Sequence, residues 1–105
     1  MIDRHIIDSF AIKNSLSESD AIKIFCELEY FLENAVSGVE ASPSMRVDNA
    51  WHHFILHTKD YSDYCRSKYA AFIHHVPLKS SIEPGKAKCQ VFIEHFVQCK
   101  PEICH

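Results

Sequence analysis

The sequence predicts an all-α fold: a single small domain, residues 1–105, of four to five helices with one long ordered loop at about 70–84. Three observations point to it. Only two glycines occur in 105 residues, too few for an all-β chain full of tight turns. Apolar residues recur at spacings of three and four through most of the chain. Serine or threonine precedes several of these runs, where a hydroxyl can accept from the unpaired N–H groups of a helix start.

The elements follow in order. Residues 3–12 form a short first helix, with Ile6, Ile7 and Phe10 at helical spacing. Ser17 caps a second helix of about 18–36, and Glu18 and Asp20 suit its positive end. Ile22, Phe25, Leu28, Leu32 and Ala35 make its apolar stripe, and Gly38 stops it. VEASPS is a loop, from which Ser42-Pro43 or Ser44 opens a third helix. His57-Thr58 is a boundary, with Thr58 the expected cap of a fourth helix, KDYSDYCRSKY, whose Tyr61, Tyr64, Cys65 and Tyr69 lie near one face. AAFIHHVPLKSSIEP, residues 70–84, has two prolines and no helical period and reads as an ordered strap across the core. Pro84 suits a first helical turn, so 85–99 is expected to be the last helix, with Val91, Phe92, His95, Phe96 and Cys99 inward.

Composition narrows the function classes. The apolar fraction of 47% and charged fraction of 24% are those of a soluble globular protein. A net charge of −3 gives no basic footprint, so neither nucleic acid nor an anionic membrane surface is an expected partner. Protonating all eight histidines would carry that charge to +5, so mild acid should alter the surface strongly. The start, MIDRHIIDSF, is too interrupted by charge for a secretory signal, and no segment is apolar enough to span a bilayer. The expected location is the cytoplasm. Five widely spaced cysteines, Cys26, Cys65, Cys89, Cys99 and Cys104, disfavour a disulfide framework.

The most informative stretch is VDNAWHHFILHT, residues 47–58. At about 100° per residue with Asp48 at zero, Trp51 falls near 300°, Ile55 near 340°, His52 near 40° and Leu56 near 80°. On that reading Asp48 and His52 lie inside the apolar arc and are buried as a pair, each requiring hydrogen bonds. His53 and His57 fall on the opposite, polar face. Their i, i+4 spacing can hold one zinc ion, but the glutamate of an HExxH site is missing.

A second cluster is His74-His75-Val76-Pro77, where extended chain sends one ring to the core and the other to water. Laid over the Trp51 face, this segment would gather Asp48, His52, Cys65 and one of His74 or His75, with Tyr61 beside them. His52, Cys65, His74 and His75 then have the ligand types for zinc, with Asp48 behind them. The set equally suits a hydrogen-bonded network that only ties a helix to a loop. His95, Cys99, Cys104 and His105 form a further HxxxC…CH string near the C-terminus. No nucleophile elbow, phosphate loop or paired-cysteine zinc motif is present.

Asp48, Trp51-His52, His57-Thr58, Tyr61, Cys65 and His74-His75-Val76-Pro77 together resemble the glycine-rich domain-containing protein-like family, over about residues 40–80. The resemblance implies a stand-alone short bacterial or phage-type member and a fold neighbourhood with a candidate site, rather than a reaction. Phe54 stands where many relatives carry a second histidine, and the glycine-rich region of the long eukaryotic members is missing.

The leading functional expectation is a small helical binding module, not an enzyme, that meets another protein or a small ligand. The alternative is a zinc-type metal protein with hydrolytic or redox chemistry. A third reading, an inhibitor of a host complex of the phage type, rests on small size and acidity.

Overall fold

A computed structural model describes residues 2–39, 42–77 and 89–96. Four helices are followed by two strands: α1 (Arg4–Lys13), α2 (Glu18–Val36), α3 (Met45–Leu56), α4 (Thr58–Tyr69), β1 (Ala71–Pro77) and β2 (Cys89–His95).

The helix starts follow local chemistry. The Ser17 hydroxyl accepts from the Asp20 amide, and the Ser44 hydroxyl accepts from the Val47 amide. Gly38, at φ +86°, closes α2, with its amide on the Ala35 carbonyl and the Val39 amide on Asn34. Ser15 closes α1 in the same way at φ +55°, sending the Leu16 amide to the Ala11 carbonyl. The α3–α4 boundary departs from expectation. Thr58 is the first residue of α4 rather than its cap, and His57 alone separates the helices, with no side-chain cap bond.

The larger departure is at the C-terminal end. The fold is not all-α. Residues 71–77 form a strand rather than an irregular strap, and 89–95 form a strand rather than the last helix. The two pair antiparallel, with Ile73 opposite Ile93, His74 opposite Phe92 and His75 opposite Val91. Val91, Phe92, His95 and Phe96 fit a helical spacing, but Val91 and Ile93 also fit an alternation. A short apolar run supports either period, and the partner strand decides. The expected loop at 78–84, Pro84, the helix portions 85–88 and 97–99, and Cys99, Cys104 and His105 lie outside the described residues.

One apolar cluster joins all four helices to β1. Ile6, Ile7 and Phe10 of α1 pack with Phe25, Leu28 and Leu32 of α2, and with Val47, Trp51 and Phe54 of α3. Trp51, Tyr61 and Cys65 are fully enclosed. The Trp51 indole N–H donates to the Tyr61 hydroxyl at 3.0 Å, and that hydroxyl donates to the Ile73 carbonyl. Three elements, α3, α4 and β1, meet in this short chain. Burial pushes the Tyr61 phenol far above its ordinary pKa, so it remains a donor at any working pH.

Two consequences are measurable. Tyr61→Phe strands the Trp51 N–H and the Ile73 carbonyl in the core and should cost about 1–3 kcal/mol in urea melts; an unchanged midpoint would contradict the chain. Ala70 ends α4 at φ +51°, ψ +34°, left-handed geometry that a side chain resists. Ala70→Gly should therefore stabilise, by about 1 kcal/mol, read as a higher melting midpoint.

Candidate functional site

The polar residues of α3 divide into two groups because of where its core face lies. The buried positions are Val47, Ala50, Trp51 and Phe54, which on the wheel span about 200–300°. Asp48 and Ile55 stand at one margin of that arc and His53 at the other. His52 and Leu56 point away from it. The expected burial of His52 is thus corrected: it is exposed, and so is Leu56. The expected arc, from Trp51 through Ile55 to Leu56, centres at about 10°, roughly 120° from the true centre at about 250°.

Asp48 is half-buried and finds its partner on the hairpin rather than one turn along its own helix. The His75 Nε2–H donates to Asp48 Oδ1 at 2.7 Å. The His75 ring stands edge-on to Trp51 at 4.5 Å between centroids, and the exposed His52 ring lies 6.1 Å from it. The pair sits beside the enclosed Trp51 and links α3 to β1.

The other expected members lie elsewhere. His74 is on the opposite face of β1, paired with Glu94 at 2.8 Å and packed against Phe72 and Phe92. Cys65 is enclosed beside Tyr61 and the Ile73 backbone, where burial pushes its thiol up and keeps it protonated. The structure brings Asp48, Trp51, His52 and His75 together. It leaves Cys65 and His74 apart from them, so the four ligand candidates do not share one coordination sphere.

A second cluster forms where the start of α1 meets the α3–α4 corner. The His5 Nδ1 lies 3.2 Å from Asp3 Oδ1, and its Nε2 lies 3.4 Å from Asp60 Oδ2. The His57 ring is 5.7 Å from the His5 ring and 5.2 Å from that of His53. His53 is half-buried against Phe10, with its Nε2 hydrogen-bonded to the Ser9 hydroxyl at 2.9 Å. Burial, and then the neighbouring His57 and Lys13 charges, depress its pKa below 6.5. Sequence reasoning marked the His53–His57 spacing but missed Asp3, His5 and Asp60. The local signal for Asp60 was its place three residues after His57, whereas His5 joins only through the packing of α1.

Comparison with known families supplies the relationship. The model of a family described as UCP032817-like matches residues 4–102. The chain belongs to the UCP032817-like family. The match covers almost all of the sequence, with the hairpin and every member of the two clusters except Asp3 inside it, and it does not confirm the likeness to glycine-rich domain-containing proteins. No curated protein and no solved structure matches the chain significantly. Among the described residues, no helix of this UCP032817-like chain is long and apolar enough to cross a membrane.

Two outcomes follow from this geometry. Asp48→Ala should destabilise by about 0.5–1.5 kcal/mol, since it removes a half-buried, charge-assisted bond; equality of mutant and parent urea midpoints would refute it. The depressed His53 pKa means that the folded state resists protonation there. Its stabilising effect is present above pH 6.5 and is lost as pH falls below that value. His53→Gln should accordingly flatten the fall in melting temperature on acidification in chelator-containing buffer, and a slope identical to the parent's would contradict this.

Proposed function

We propose that this UCP032817-like protein is a small protein-interaction module whose recognition face is the outer side of α3 together with the adjoining edge of β1. One observation supports the reading above the rest. Met45 and Leu56 are 53% and 64% exposed, and they lie on the same α3 face as Asp48 and His52, at spacings of three and four. Exposed large apolar side chains in line with polar ones give an interface its anchors and its register.

The Asp48–His75 pair adds polar specificity at the centre of the stripe, with the His52 ring close by and Val76 exposed on the strand. A partner laying an apolar residue at each end and a hydrogen-bonding group at the middle fits this surface. The fold contributes rigidity. Trp51 anchors the back of α3, so the face requires little ordering when a partner arrives. The same core placement of Tyr61 and Cys65 gives these residues a packing role rather than a chemical one, which favours a binding module over an enzyme.

A photo-crosslinking side chain at His52 should yield a discrete adduct in the native lysate, competed by unlabelled protein and lost in a Leu56→Asp background that keeps its circular dichroism. The same probe at Tyr30, exposed on α2, should not yield it. Identical adducts from both positions, or indifference to Leu56→Asp, would overturn the reading.

A further inference from the structure

We infer that His5, His57 and Asp60 form a binding site for a divalent transition metal of the zinc class, with Asp3 as the residue that orients His5. The site is separate from the α3 recognition face and does not depend on it.

Three elements deliver the ligands. His5 lies in the first turn of α1, His57 is the single residue between α3 and α4, and Asp60 is in the first turn of α4. One ligand atom of each lies within 4.8 Å of the others. Zinc holds imidazole nitrogen and carboxylate oxygen at about 2.0–2.2 Å, which places two ligand atoms of a tetrahedron roughly 3.4 Å apart. The His5 Nε2 and Asp60 Oδ2 are already 3.4 Å apart. The partly exposed His57 ring offers its nitrogen within 4.8 Å of both.

Asp3 provides an independent indication. It sits 3.2 Å from the His5 Nδ1, the nitrogen not directed at Asp60. A carboxylate on one imidazole nitrogen fixes the tautomer, leaves the other lone pair free for a metal and raises its basicity. His53 has a different part. Its Nε2 is taken by Ser9, and its ring packs against both His57 and Phe10, which supports the His57 ring from the core side. Two imidazoles and one carboxylate suit zinc and its neighbours better than magnesium or calcium, which prefer all-oxygen surroundings.

Three protein ligands leave a fourth position open to water or a small ligand. Asp3 and Asp60 also line a cavity of about 400 Å³ between α1 and α4, with Ile6, Phe54, Asp63 and Tyr64 among its other walls. An ion bound by Asp60 would therefore stand at the rim of that cavity.

The test uses the full-length, tag-free chain, stripped with chelator and kept reduced. Cobalt(II) titration should saturate at one ion per chain, with visible d–d bands and no thiolate charge-transfer absorption. Zinc should displace it and raise the melting temperature. His5→Ala and His57→Ala should each weaken zinc binding by at least roughly tenfold, and Asp3→Asn by roughly tenfold to a hundredfold. His52→Ala and His74→Ala should leave it unchanged. Circular dichroism of the apo variants checks folding, and if His57→Ala unfolds, His5→Ala and Asp3→Asn decide. Failure to bind, a thiolate band, or affinity indifferent to His5→Ala and Asp3→Asn would overturn the site.

Discussion

The hydrogen-bonded chain from the Trp51 indole through the Tyr61 hydroxyl to the Ile73 carbonyl is the constraint on which the rest depends. Its three members come from α3, α4 and β1, and each is enclosed. A buried indole N–H without a partner is costly, and so is a buried phenol. Satisfying both with one strand carbonyl sets how the hairpin lies against the helices. Once Ile73 faces inward, strand alternation sends His75 to the same side and His74 to the other. His75 then meets Asp48, and His74 meets Glu94.

Helix α3 consequently carries three kinds of surface. Its Val47, Ala50, Trp51 and Phe54 face enters the core. One margin of that face offers Asp48 to the hairpin, while Met45, His52 and Leu56 remain in solvent. The other margin leans on α1 through His53, Ser9 and Phe10, and leads into the His5–His57–Asp60 corner. A single rotation of this helix about its axis would exchange these roles, so the packing of Trp51 against Phe31 and of Phe54 against Tyr61 holds both clusters in place.

Much of this was legible in the residues. Ser17, Ser44 and Gly38 marked the ends of α2 and the start of α3, because caps and left-handed stops are local chemistry. Trp51 and the inward Tyr61 and Cys65 followed from the apolar spacing. The meeting of Asp48 with one of the paired histidines followed from laying the apolar 70–84 segment across the Trp51 face. His52 and Leu56 were misplaced because α3 has an apolar residue on almost every side, so its wheel admits more than one buried arc. The strand at 89–95 was misread because its short apolar run fits two periods.

By itself the sequence determined the four helices, most of their boundaries and the presence of polar groups near the Trp51 core, since each rests on contacts within a few residues. Tertiary structure alone decided the hairpin, whose hydrogen bonds need two segments separated by 11 residues outside the described chain. It also decided that His75 rather than His52 bonds Asp48, and that His5 reaches His57 and Asp60 across more than fifty residues of sequence. Such pairings are set by how helices and strands pack in three dimensions, and residue spacing along one element carries no record of them.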